Sequence, residues 1–212
     1  MKYEWKKHEK ALYSAKEKPS SIVVPRQNYI IISGKGNPNE ADFSEKASVL
    51  YSIAYAIKIR HKAFCTDLEQ RKQFDYSDYM VFPLKGVWTS SDPINPLDKD
   101  SFIYTIMIKH PDFITKDMFV AAYEAVGRKK PHSLLQEVAF EMLEDSYAFK
   151  YCISAHSMMS RNPLQKWTHF QGRINWSVSI ITTEKFISPM PGKLRPKRDK
   201  RFCGIGLRRV RV

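Results

Sequence analysis

Short apolar runs alternate with polar segments along the first 145 residues, and their spacing predicts the secondary structure. Residues 22–24 and 29–32 are strand-sized runs separated by Pro25, which predicts two strands joined by a turn. Residues 101–108 alternate between two apolar faces, which predicts a longer strand that ends before Pro111.

Two helices are predicted between these strands. The first follows a Gly- and Asn-rich loop, with Asn39 or Asp42 as its cap and Glu45 at capping-box spacing after Asp42. Its apolar face has helical spacing and consists of Val49, Leu50, Ile53, Ala54 and Ile57. The second helix is predicted to begin after Thr115 and to be closed by Gly127 and the basic residues 128–130.

Further strands are predicted at residues 79–82 and 86–88, and residues 138–142 leave strand and helix both open. The first 18 residues predict a helical or extended arm anchored by Trp5 and by residues 12–13. The order strand, helix, strand and strand is completed once and then begun again. The sequence therefore predicts an α+β fold of two similar modules.

Composition is that of a globular protein, with 43% hydrophobic and 27% charged residues. The aromatic share of 13% is high, and aromatic side chains line ligand clefts as well as cores. No apolar run reaches the roughly 18 residues of a membrane helix, and the charged N-terminus does not resemble a signal peptide. Three cysteines without metal-like spacing fit a reducing compartment, so the predicted location is cytoplasmic.

The net charge of +13 is concentrated at the C-terminal end of the chain. Residues 1–145 contain 21 Lys and Arg against 20 Asp and Glu, whereas residues 146–212 contain 14 against two. Residues 193–201 form the most basic stretch, and such a stretch binds nucleic acid non-specifically by neutralising phosphates. The break in charge after Asp145 predicts that the two parts of the chain differ in nature.

Five ordered motifs resemble the GyrI-like small-molecule-binding proteins, and they lie at residues 1–5, 34–38, 50–58, 82–88 and 104–113. The resemblance implies tandem βαββ modules with a ligand cleft between them. It also implies ligands that are apolar or cationic aromatic compounds. A similar branch of that family hydrolyses cyclopropane-bearing genotoxic natural products, so this hydrolase activity is an alternative function.

The chain departs from the family pattern in two places. A Pro-Leu-Glu-Gly-Leu-Trp-Trp motif is expected near position 86, but residues 83–89 read Pro-Leu-Lys-Gly-Val-Trp-Thr, so one acid and one aromatic residue of the cleft rim are missing. The family's second half, with its Asp-Asp-Glu-Pro and Arg-Glu-Ile-Tyr-Leu motifs, does not follow Asp145. The Glu of the second motif is the expected ligand-facing acid, so the chain as written is predicted to be inactive as a hydrolase.

A shifted reading frame is the hypothesis that explains why the motifs of the family's second half are missing. Back-translation of residues 157–161 in another frame allows Asp-Asp-Glu-Pro, and residues 183–187 allow Arg-Glu-Ile-Tyr. The hypothesis is an insertion or deletion near residues 145–146, and the alternative is a divergent basic tail. Residues 1–145 are accordingly predicted to form the arm, the first βαββ module and the start of the second. Residues 146–212 are predicted to be a frameshifted, poorly ordered basic segment that disrupts the second module.

The predicted binding residues are aromatic and acidic. Trp88, Tyr104, Tyr79 and Tyr55 are candidates for an aromatic wall, with a place in the core as the alternative for each. Glu141, together with Glu137, is the candidate cleft acid, with solvated surface as the alternative.

The predicted function is binding of a small apolar or aromatic ligand. No cofactor or membrane partner is predicted. No metal site is predicted either, because the histidines show no ligand spacing. Non-specific nucleic-acid binding through the basic segment is the second alternative.

Overall fold

The computed structural model describes residues 1–13, 20–66, 72–95, 98–143, 146–154, 177–181 and 201–208. Within these residues the strands are β1 (Lys2–Tyr3), β2 (Ser20–Val24), β3 (Gln27–Lys35), β4 (Asp78–Tyr79), β5 (Leu84–Ser90), β6 (Phe102–His110), β7 (Ala139–Leu143), β8 (Ser146–Ser154), β9 (Ser177–Ile181) and β10 (Arg201–Arg208). The helices are α1 (Trp5–His8), α2 (Lys10–Tyr13), α3 (Ala41–Phe64) and α4 (Lys116–Lys129). Short 3-10 turns lie at Lys99–Ser101 and Ser133–Glu137.

The first βαββ module consists of β3, α3, β5 and β6, with the antiparallel strand order β5-β6-β3. The turn after β3 depends on Gly36, whose φ of 99° lies in the left-handed region that glycine adopts freely. The Gly36 N–H donates to the carbonyl of Phe102 at 2.7 Å and ties this turn to the start of β6. Strand β6 then leads through α4 to β7 and β8, so the strand, helix, strand and strand order recurs.

The main sheet closes on itself. Strand β2 continues into β3 after two residues, and β7 and β8 are also two residues apart in the chain. Val24 pairs with Ser146, and Gln27 pairs with Leu143. The step from one pair to the next is three residues on each strand. A single antiparallel register therefore continues from the β2–β8 ladder into the β3–β7 ladder. Strand β8 then pairs with β10, β10 with β9, and β9 with β5. The ladders therefore form a ring of six long strands, two of which are bent.

Helices α3 and α4 cover one face of this sheet. The apolar side of α3 lies against β3 and β6. The fully buried aliphatic side chains at this contact are Ile30, Ile32, Leu50, Ile53, Ala54, Ile57, Ile106 and Ile108. Alternation along each strand turns the neighbouring residues to the opposite face, towards the middle of the ring. There they meet the N-terminal arm, residues 1–13, rather than a helix of the first module.

The predicted α+β fold class is confirmed, and so is the predicted cap at Thr115, which accepts a hydrogen bond from the Met118 N–H. Helix α4 runs through Gly127 and ends at Lys129, within the basic residues predicted to close it. The Lys130 N–H bonds to the carbonyl of Val126 at this end.

Helix α3 has Glu40 at its N-cap, rather than the predicted Asn39 or Asp42, and no side chain caps it. Asp42 instead accepts a hydrogen bond from the Tyr104 hydroxyl. The predicted strand at residues 79–82 shortens to β4, and residues 80–83 have no regular secondary structure.

Three strands, β8 to β10, lie within residues 146–212, and most of the rest of that segment lies outside the described residues. The predictions of a shifted frame and of poor order there remain predictions. The described part of the chain contains no helix with the length and apolar character needed to cross a membrane.

Candidate functional site

The N-terminal arm is fixed to the sheet by backbone pairing and by aromatic contacts. Strand β1 pairs in parallel with β4, and the Trp5 Nε1–H donates to the carbonyl of Val81 at 3.2 Å. The Trp5 ring lies 4.6 Å from the ring of Tyr13 and 6.0 Å from that of Phe82, measured between centroids. These contacts place Glu9 and Tyr13 over the face of the sheet that the helices leave free.

Glu9 forms a buried ion pair with Lys109 of β6. The Lys109 Nζ lies 2.6 Å from Glu9 Oε2, and the exposed fractions of the two side chains are 5% and 11%. The hydroxyl of Tyr3 donates to the other carboxylate oxygen of Glu9 at 2.7 Å. Both carboxylate oxygens are therefore used, and Lys109 and Glu9 balance each other's charge.

Lys85 of β5 points to the same face but has no acidic partner among the described residues. Its Nζ donates to the hydroxyl of Tyr29 at 3.3 Å, and that hydroxyl donates to Gln27 Oε1 at 2.6 Å. The ammonium also lies 4.9 Å from the ring centroid of Tyr13 and 5.3 Å from that of Tyr29, within cation–π range. We call Glu9, Tyr13, Gln27, Tyr29, Lys85 and Lys109 the arm site.

Burial perturbs the ionisation of the arm site. Loss of hydration and the nearby charge of Lys109 lower the pKa of Lys85, Glu9 opposes them, and together they give a pKa of about 7. Burial also raises the pKa of Tyr13 and of Tyr29 above the usual phenol range, so both hydroxyls keep their protons. The site therefore holds a lysine whose pKa lies near neutrality, between two neutral phenols.

The lowered pKa of Lys85 predicts that stability rises with pH. The unfolded chain has an ordinary lysine pKa of 10.5, so between pH 7 and 10.5 it binds more protons at this position than the folded protein does. We expect the Lys85 contribution to raise the free energy of unfolding by about 2 kcal/mol between pH 7 and pH 9. Urea unfolding of the wild type and of Lys85→Met at both pH values measures this contribution as a difference. Equal pH dependence in the two proteins would contradict the assignment.

Two of the predicted aromatic residues lie together, but on the other face of the sheet. The ring of Trp88 is 5.0 Å from that of Tyr104, and both contact Phe43 of α3. Tyr104 is buried and its hydroxyl donates to Asp42 at 3.1 Å. Trp88 folds back over Gly86, where a Cβ would lie 2.5 Å from its Nε1. These two rings line the boundary between α3 and the sheet.

The other three predicted residues lie apart from that pair. Tyr79 is fully buried, with its hydroxyl 3.3 Å from His110 Nδ1. Tyr55 is exposed on α3 beside Tyr51. Glu141 of β7 is directly opposite Tyr29 in the β3–β7 ladder, so it lies on the face of the arm site and at its exposed edge. The structure thus brings one of the five predicted residues next to the arm site.

The site residues predicted from the sequence do not include Tyr13, Tyr29, Gln27, Glu9 or Lys109. One signal was visible, because Lys85 occupies the position at which the resembling family has an acid. Its partners come from the arm, β3 and β6, which are distant in sequence, and only the fold brings them together.

Neither a protein-family model nor a curated protein matches the chain. Three solved structures from Listeria innocua have the same fold along nearly the full length of both chains. An uncharacterized conserved protein is 24% identical, with a TM-score of 0.73, and the match covers 97% of this chain and 98% of that one. A protein described as a hydrolase is 25% identical, with a TM-score of 0.74 and 98% of each chain covered. A further hydrolase is 24% identical, with a TM-score of 0.68 and coverage of 96% and 98%.

Proposed function

We propose that the protein is a GyrI-like domain that binds a small aromatic molecule at the arm site. One observation carries the proposal: the site has buried polar groups whose hydrogen-bonding capacity is not used by the described residues. The hydroxyl of Tyr13 and the Nε2 of Gln27 are buried and have no partner among those residues. Buried polar groups in folded proteins are normally satisfied, and ligand sites are a recurrent exception.

The aromatic side chains around the arm site supply the apolar part of such a pocket. The rings of Tyr13 and Tyr29 lie beside Lys85, and the ring of Phe82 lies beside Lys109. Trp5 packs behind them against Tyr13 and Phe82. Flat ligands gain stacking contact with rings of this kind. The motifs at residues 82–88 and 104–113, which carry the GyrI-like resemblance, contain Phe82, Lys85 and Lys109. The resemblance and the geometry therefore support the same region.

A fluorescent, uncharged aromatic probe tests this proposal. Phenylnaphthylamine is expected to bind the wild type saturably, with a stoichiometry of one. Tyr13→Ala is expected to weaken binding by about tenfold or more, because it removes one stacking wall. Tyr13→Phe keeps the ring and is expected to retain most of the affinity, which separates loss of stacking from undocking of the arm.

Tyr55→Ala is the matched control, since Tyr55 is an exposed tyrosine on α3. It is expected to leave the affinity of the probe unchanged. Binding that does not saturate, or an equal loss of affinity in Tyr13→Ala and Tyr55→Ala, would refute a site at the arm.

Hydrolysis is the second candidate function, favoured by two observations. Two of the Listeria proteins with this fold are described as hydrolases, and Lys85 has a pKa near neutrality, which suits a general base. In cyclopropane hydrolysis the base takes a proton from water, the hydroxyl adds to one ring carbon, and the released electron pair takes up a proton at the other. Incubation with a cyclopropane-bearing alkylating compound should then yield a product heavier by one water, and Lys85→Met should abolish it. An unchanged compound would leave binding as the function.

Non-specific nucleic-acid binding remains a prediction from the sequence. The basic residues 193–200 lie outside the described part of the chain.

A further inference from the structure

The unused hydrogen-bonding groups of the arm site are donors. Lys85 has three N–H donors and, among the described residues, one acceptor, the hydroxyl of Tyr29. That hydroxyl donates a hydrogen bond to Gln27 Oε1. The N–H groups of Gln27 Nε2 have no acceptor among the described residues. The buried hydroxyl of Tyr13, which can donate or accept, has no partner among these residues either. A single kind of group, an acceptor, would therefore satisfy Lys85, Gln27 and Tyr13 alike.

The same site carries an excess of positive charge. Lys85 and Lys109 both face it, and the carboxylate of Glu9 is held by Lys109 at 2.6 Å and by the Tyr3 hydroxyl at 2.7 Å. Glu141 lies across the ladder from Tyr29 but is exposed to solvent. Lys85 is buried, and a buried ammonium without a counter-charge is costly. An anion placed beside Lys85 would remove that cost.

The unused donors also converge. The chain from Lys85 Nζ through the Tyr29 hydroxyl to Gln27 Oε1 has steps of 3.3 and 2.6 Å, and the Nε2 of Gln27 is bonded to the same carbon as that oxygen. The ring of Tyr13 also lies beside Lys85, with its centroid 4.9 Å from Nζ. A single acceptor group next to Lys85 is thus close to donors of β5 and β3 and to the ring of Tyr13.

We propose that the ligand of the arm site is an aromatic carboxylic acid, whose carboxylate accepts hydrogen bonds from Lys85 Nζ and Gln27 Nε2 while its ring lies among Tyr13, Tyr29 and Phe82. This inference rests on the proposed binding function and specifies its ligand class. It reverses the charge preference that the family resemblance implies, because Lys85, whose charge is not balanced by an ion pair, repels a cationic aromatic compound. A water molecule in the same place would accept hydrogen bonds but would leave the charge of Lys85 unbalanced.

A matched series of ligands tests the inference by calorimetric titration of the full-length protein. The series consists of a naphthalene carboxylate, the corresponding naphthalene methanol and the corresponding naphthalene methylammonium. The carboxylate is expected to bind the wild type about ten- to a hundredfold more tightly than the alcohol, since charge-assisted hydrogen bonds distinguish them. The methylammonium is expected to bind more weakly than the alcohol.

Lys85→Met is expected to remove the preference for the carboxylate over the alcohol. Gln27→Leu removes the second donor and is expected to reduce the same preference by a smaller factor. Lys35→Met is the control, because Lys35 is an exposed lysine at the far end of β3, and it should retain the full preference.

Each outcome decides between the two proposals. An alcohol that binds the wild type as tightly as the carboxylate overturns the inference and leaves the binding function intact. A carboxylate preference that survives in both Lys85→Met and Gln27→Leu also overturns it. Failure of all three compounds to bind refutes the binding function together with the inference. The ranking in the wild type requires no variant, so the inference remains testable if Lys85→Met does not fold.

Discussion

Lys109→Met is expected to lower the free energy of unfolding by about 3–5 kcal/mol, because it leaves the carboxylate of Glu9 buried without its ion-pair partner. The Lys109–Glu9 pair joins the N-terminal arm to β6 across 100 residues of chain, and both side chains are nearly inaccessible to solvent. In the variant the hydroxyl of Tyr3 still donates to Glu9, but the direct contact with an ammonium group is gone. Urea unfolding followed by circular dichroism measures the change.

The double variant Glu9→Gln/Lys109→Met distinguishes a stranded charge from lost packing. Gln at position 9 still accepts the hydrogen bond from Tyr3, and neither charge of the pair remains. We expect the double variant to recover most of the stability that Lys109→Met loses. Arg128→Met is the control, since Arg128 pairs with Glu124 on the exposed side of α4 at 3.9 Å, and little change is expected. A double variant no more stable than Lys109→Met would contradict the role given to the charge.

Phe82→Ala is expected to cost about 3–5 kcal/mol, in the range for truncation of a buried aromatic residue. Phe82 is 1% exposed and packs against the rings of Tyr3, Trp5 and Tyr13. The ammonium of Lys109 lies 5.1 Å from its centroid. Its ring is thus the common surface on which the arm rests, and its loss should release the arm before the rest of the fold.

Hydrogen exchange measured by mass spectrometry separates these two effects. In Phe82→Ala, amides of residues 2–13 should exchange much faster than in the wild type, whereas those of β6 and α3 should follow global unfolding. Ile59→Ala is the control, because Ile59 lies exposed on α3 and its truncation should change neither stability nor exchange of the arm. Unchanged protection of the arm in Phe82→Ala would contradict the docking described here.

Periodicity made the first module predictable. The five apolar positions of α3 that the sequence marks are all buried, and the alternation of β6 places Ile106 and Ile108 against that helix. These features depend on side-chain spacing within one element, which a sequence displays directly. The closure of the sheet could not be predicted in this way. It depends on the pairing of β9 with β5 and on one register that continues from β3 into β2.

The candidate site was predictable only in part, and the reason is physical. Lys85 was visible as a lysine where the resembling family has an acid, but its burial follows from the arm that covers it. In the sequence, Lys109 has the pattern of an ordinary polar residue on an alternating strand. Its buried ion pair depends on Glu9, which is distant in the chain and is brought to it only by the fold. Trp88 and Tyr104 have the composition of a ligand wall, yet their strand positions turn them towards α3. The sequence shows which side chains can bind a ligand. The face of the sheet on which each of them lies is set by its position in the alternation of the strand.

Intermolecular nuclear Overhauser effects between a bound naphthalene carboxylate and the protein's aromatic rings show whether the ligand lies at the arm site. Binding at the arm site predicts cross-peaks from the ligand's ring protons to the rings of Tyr13 and Tyr29, which lie about Lys85. Cross-peaks to Trp88 and Tyr104 in their place, or no cross-peaks to any of these rings at saturating ligand, would contradict a ligand site beneath the N-terminal arm.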